Sequence, residues 1–239
     1  MPQMIAGRAV QGMGREFFVN GIFGANFGME FLYTFVIVVC SLMVYFGTRE
    51  LYELSSHKGI KYFRLAFLFF AIAYFFRSGL KFVLVYFGKN IFDISPRLFG
   101  PLSAGIFMYF SSMAVFFLLY SVMWKKWKDK ETWNYVFQTI AILFAVISMV
   151  SRGNVIFLGI NFILFLIVIF VVAVAYKDSK KKELNLYVVY LLLSLFWIFN
   201  IIDVMVVGFV GKFQVLIYTV SIGLFLAILY KVLRRTGAP

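Results

Sequence analysis

Residues 65–88 read LAFLFFAIAYFFRSGLKFVLVYFG. The run contains no proline and only two charges, Arg77 and Lys81. About 20 apolar residues, rising about 1.5 Å each, cross the hydrocarbon core of a bilayer as a helix. The stretch therefore predicts a membrane span. A cation at that depth costs about 2.5–3.5 kcal/mol on insertion scales, so Arg77 and Lys81 need a partner, a water-filled cavity or a task.

The same pattern recurs on both sides of this run. The 239 residues are 63% hydrophobic and 14% charged, and mean hydropathy is +0.94. Soluble domains average about 45–50% apolar and about 25% charged. Seven apolar stretches run over residues 31–46, 65–87, 102–124, 133–150, 155–176, 186–207 and 213–233. They are too long and too continuous for the alternating strands of an outer-membrane barrel. The expected fold is an all-α membrane protein, a bundle of seven transmembrane helices. Residues 1–28, with six glycines and three methionines, form an outer N-terminal segment. It reads as a short surface helix or as loosely ordered chain, with Met29 as an alternative start. Residues 29–239 are the transmembrane domain, ending in a short cytoplasmic tail. No continuous apolar run follows Arg8 and Arg15, so a cleavable signal peptide is not evident.

Lysine and arginine fix the expected orientation. Arg49, Lys58, Lys61, Arg64, Lys125, Lys126, Lys128, Lys130, Lys177, Lys180, Lys181, Lys182, Lys231, Arg234 and Arg235 lie in alternate connections and at the C-terminal end. The N-terminal segment and the other three loops hold only Arg8, Arg15, Lys89, Arg97, Arg152 and Lys212. The positive-inside rule then puts the N-terminus outside and the C-terminus in the cytoplasm. All seven spans are needed to keep the alternation in phase. The net charge of +13 belongs to these clusters, which face anionic lipid headgroups rather than nucleic acid. Trp124 and Trp127 read as an inner-interface anchor.

Little chemistry is available. Cys40 is the only cysteine and His57 the only histidine, which excludes an intrachain disulfide, bis-histidine haem and a histidine-rich zinc site. A retinal Schiff base needs a lysine midway along the seventh span, whereas Lys212 precedes it and Lys231 lies near its inner end. No HExxH, GxSxG, P-loop or EF-hand pattern occurs. Neither an enzyme nor a cofactor is expected.

Two spans carry polar stripes at one depth. Counted from the cytoplasmic side, Arg77 lies roughly 18 Å and Lys81 roughly 24 Å along the second span. Asn200 and Asp203 lie roughly 21 Å and 26 Å along the sixth. Tyr74, Arg77, Ser78 and Lys81 follow i, i+3, i+4, i+7 on one helix face. Trp197, Asn200 and Asp203 share a face of the sixth span. Glu30 heads the first span and Asn161 lies in the outer half of the fifth. These nine residues predict an outward-facing polar pocket. Arg77 or Lys81 can pair there with Asp203 or Glu30, and two cations against two acids leave no net charge. The competing readings are a helix-locking ion pair with Lys81 snorkelling outward, a solute or ligand site, and a lipid-headgroup site.

A weak internal similarity adds to this. The third span contains MYFSSMAVFFLLY and the seventh IYTVSIGLFLAILY. Both have Tyr, Ser three residues on, a small residue two further, then Phe. The second and sixth spans, AIAYFFRSGL and SLFWIFNIID, both place aromatics just before a polar residue. Spans one to three and five to seven would then form a parallel three-plus-one-plus-three repeat, a transporter layout. All four prolines lie in loops, tails or at a span's outer end, and no span glycine belongs to a GxxxG pair. The absence of helix breakers weighs against a mobile carrier. The first functional expectation is thus a receptor-like or sensory module that binds a small polar or amphipathic ligand. A cytoplasmic protein would then dock on its basic loops. The alternatives are a small-solute transporter and an accessory subunit of a membrane complex.

Overall fold

The computed structural model describes residues 27–87, 96–127, 130–151, 154–179, 187–205 and 211–236. The expected outer segment, apart from its last two residues, lies outside them. The described residues form eight helices and no strand: α1 Phe27–Gly47, α2 Arg49–Ser55, α3 Lys58–Phe87, α4 Pro96–Met123, α5 Lys130–Val150, α6 Asn154–Ser179, α7 Tyr187–Met205 and α8 Gly211–Thr236. Six helical segments are long and apolar enough to cross a membrane, and Tyr187–Asp203 of α7 is a shorter apolar helix. This is an α-helical membrane bundle.

The helices outrun the apolar spans, chiefly at polar ends. Lysines and arginines have good helix propensity, so α3 starts at Lys58, seven residues before its apolar run. The short α2 occupies what reads in sequence as loop. It stops where Ser56 adopts φ 50° and donates its backbone N–H to the Tyr52 carbonyl, a left-handed C-cap. Because α4 begins at Pro96, Pro101 falls inside a helix rather than at a span's edge. It sits in the second turn, where its missing N–H removes one backbone bond.

Six helices close a ring in the order α1, α3, α4, α6, α7, α8, with α8 returning to α1. The fifth helix packs outside, on α4. Only 17% of its apolar window is buried, against 61% for α4. Its outer face bears Ile142, Leu143, Val146 and Val150, an apolar surface suited to lipid. Gly105 permits the crossing, since a Cβ there would lie 3.3 Å from the Ala145 carbonyl. Tyr120, Phe116 and Phe137 fill the gap beneath α5. The larger core fills the ring with Ile37, Phe67, Phe70, Leu164, Phe196 and Phe225.

Relative helix directions follow from paired contacts. Tyr33 stacks on Tyr218 near the N-terminal ends of α1 and α8, and Gly47 faces Leu233 near their C-terminal ends; the two run parallel. Gly59 meets Ser121, and Tyr74 meets Phe107, so α3 and α4 are antiparallel. Phe116 stacks on Phe137 while Gly105 meets Met149, which makes α4 and α5 antiparallel. Trp197 bonds Asn161 and Tyr176 meets Tyr187, so α6 and α7 are antiparallel. These contacts gather Lys58, Lys61, Arg64, Lys125, Lys126, Lys177, Lys231 and Arg234 at one end of the bundle. Arg64 sits there over the ring of Tyr45, 4.8 Å from its centroid, and donates to the Tyr45 carbonyl. Trp127 stacks on Trp133, and Lys125 lies over Trp124, at the same end.

Candidate functional site

The stripe on α3 faces the stripe on α7 across the ring. Tyr74 Oη donates to Asn200 Oδ1 at 2.6 Å. One turn further out, Arg77 Nη2 donates to Asp203 Oδ2 at 3.1 Å. Both steps are three residues, so α3 and α7 run parallel and in register. A single contact joins the ions, whose side chains are only 20% and 9% exposed. The guanidinium carbon lies 5.4 Å from the centroid of Phe107, within cation–π range. Glu30 lies in the first turn of α1. Of the pairings open in sequence, Arg77 with Asp203 is made, and those open to Lys81 lie outside the described residues.

The amides are locked by their own helices. Asn200 Nδ2 donates to the Phe196 carbonyl, and Asn161 Nδ2 donates to the Phe157 carbonyl. This leaves the Asn200 side-chain carbonyl free to accept from Tyr74 and Tyr33. The Trp197 indole N–H donates to the Asn161 carbonyl at 3.2 Å and pins α7 to α6. Ser78 is buried on the α3 stripe. The Lys81 side chain lies outside the described residues.

Three side chains outside the expected set complete the cluster. Tyr33 directs its hydroxyl at Asn200 Oδ1 from 3.4 Å. Its ring stacks on Tyr218, with centroids 4.6 Å apart. Tyr218 Oη accepts a bond from Gln214 Nε2 at 2.8 Å. The spacing of Tyr33, three residues after Glu30, is the one signal that points to it; Tyr218 stands out only as the tyrosine of the seventh span's similarity to the third.

Five of the nine expected residues, Tyr74, Arg77, Asn161, Trp197 and Asn200, line a cavity of ≈ 10 Å³ with Ser111, Phe70, Phe107 and Phe157, whereas Glu30, Ser78 and Asp203 do not line it. That volume is about the room one water needs. Among the described residues no group of His, Cys, Asp and Glu is arranged to hold a metal.

No family model matches the chain, and no solved structure matches it. An uncharacterized protein of Archaeoglobus fulgidus is 30% identical over 217 residues, covering 86% of this chain and 92% of the relative. The chain belongs to that protein's family.

Proposed function

We propose that the protein is a carrier for a small polar solute, built from two three-helix halves and gated by the Arg77–Asp203 pair. One half is α1, α3 and α4, the other α6, α7 and α8, and α5 links them from outside the ring. The N-terminus is outside and the C-terminus cytoplasmic, since the basic end of the bundle is the inner one. Each half is an unbroken arc of the ring, α1, α3, α4 and then α6, α7, α8, as two parallel repeats would require. Substrate sites in such proteins lie at the interface between repeats.

The observation that carries this reading is the placement of the polar contacts between the halves. Among the described residues, side-chain hydrogen bonds join the halves at two levels. The outer level holds Tyr74–Asn200 and Arg77–Asp203. The inner level is Ser121 bonded to Tyr190 at 2.9 Å, buried between α4 and α7. Ten residues, about 15 Å of helix, separate Tyr190 from Asn200, and Phe67, Phe70, Leu193 and Phe196 pack between them. Two thin polar latches with an apolar layer between are suited to opening one at a time. A neutral hydrogen bond is worth about 0.5–1.5 kcal/mol net, which differential ligand binding can offset. Unbroken helices then move as rigid bodies, a recognised form of alternating access.

Ser111 lines the cavity and supports a test that needs no known solute. In a Cys40→Ala background, Ser111→Cys is exposed in oriented vesicles to a membrane-impermeant thiol reagent from either side. A carrier is labelled from both. Labelling from outside alone overturns the carrier in favour of the receptor-like module. No labelling from either side assigns the pair a purely structural role, as in an accessory subunit.

A further inference from the structure

The chemistry of the outer latch restricts what can open it; this step rests on the carrier reading and names the substrate class. Arg77 and Asp203 satisfy each other through one contact in a mostly buried setting. Parting them leaves a stranded charge on each half, and a stranded buried charge is strongly unfavourable. A neutral solute such as a sugar brings hydrogen bonds and no charge. An anion compensates Arg77 and leaves Asp203 exposed to it. A cation does the reverse. A molecule with one positive and one negative group compensates both and carries no net charge to membrane depth.

The geometry narrows the class further. The two ions touch at 3.1 Å, so the solute's charges must also be close, as they are on a single carbon atom. Asn161 lines a cavity with Arg77, and its side-chain oxygen takes part in no hydrogen bond among the described residues, which leaves an acceptor for an ammonium proton. The remaining wall is aromatic, made by Phe70, Phe107, Phe157 and Trp197, with Phe107 beside the guanidinium. Such a wall receives an uncharged side chain and disfavours a second ionised one. We propose that the site takes small zwitterions of the α-amino acid type with an uncharged side chain. The solute carboxylate replaces Asp203 on Arg77, and the solute ammonium replaces Arg77 on Asp203.

Thermal unfolding of the full chain in detergent tests this with alanine, leucine, phenylalanine, phenylalaninamide, N-acetylphenylalanine and glucose. At least one free amino acid should raise Tm by about 5 °C at 100 times its Kd. The amide lacks the carboxylate and the acetyl derivative lacks the ammonium, so neither should stabilise. Arg77→Lys keeps the cation and should keep a weakened response; Arg77→Gln should lose it, while the exposed variant Arg49→Gln should respond as the parent does. Equal stabilisation by the amide or the acetyl derivative overturns the zwitterion assignment. So does stabilisation by glucose alone, or by nothing in the panel. In each of these cases two-sided labelling at Ser111→Cys still decides the carrier reading independently.

Discussion

Arg77 is tolerable at membrane depth because Asp203 meets it, and Tyr74 bonds Asn200 one turn away. Removing one member of a buried ion pair costs about 3–5 kcal/mol, because the survivor keeps its desolvation without its partner. Asp203→Asn should therefore lower thermal stability sharply, and Arg77→Gln in that background should change it little further. Additive losses, measured as Tm in a double-mutant cycle, would refute the coupling. Tyr74→Phe is a milder probe: it removes the 2.6 Å bond to Asn200 and should cost about 1 kcal/mol. The helical periodicity made the two stripes legible, since i, i+3, i+4 spacing fixes a face without knowledge of the fold. That Arg77 meets Asp203 was not legible, because α3 and α7 are not ring neighbours but face each other across the ring, an arrangement that periodicity alone does not give. Nor were Tyr33 and Tyr218, two of 14 tyrosines that composition cannot rank.

Helix packing here depends on close approach at a few small residues. A Cβ on Gly59 would lie 2.8 Å from the Ser121 carbonyl and 3.0 Å from the Trp124 indole nitrogen. The first neighbour is backbone and cannot swing aside, so Gly59→Ala should force α3 from α4 and cost about 1–3 kcal/mol. Gly223 is the contrast, with nothing within 4 Å of a Cβ. Gly223→Ala should be neutral or stabilising by up to about 1 kcal/mol. Similar unfolding temperatures for the two variants would contradict this packing. The seven long helices were legible from hydropathy, but their ends were not. Hydropathy marks where chain is apolar, whereas α3 continues through Lys61 and Lys58 because a polar helical turn is stable in the headgroup region. For the same reason α2, polar and seven residues long, reads as loop.

Among the described residues, six long helices form a ring, α5 packs outside it and the short α2 joins α1 to α3. Sequence suggested two similar triplets and a linker span, and α5 is the helix that lies outside the ring. The matched strings agree less well: Ser112 and Ser221 are both buried, but Tyr218 sits in the polar cluster while Tyr109 packs beside Phe110. Helix order is set by connectivity and face polarity, so it can persist where individual side chains have diverged. The parallel register of α3 and α7 requires an odd number of crossings between them, which α4, α5 and α6 supply. A tag inserted between α4 and α5 should thus be accessible only from the cytoplasm, and accessibility from outside would invert the orientation. The gate itself has a more direct test. In the Cys40→Ala, Ser111→Cys protein, the rate of labelling from outside is compared with and without Asp203→Asn. Losing a charge-assisted hydrogen bond worth about 1.5–3 kcal/mol should speed outer labelling about tenfold or more and leave inner labelling unchanged. Equal outer rates would contradict the assignment of Arg77 and Asp203 as the gate.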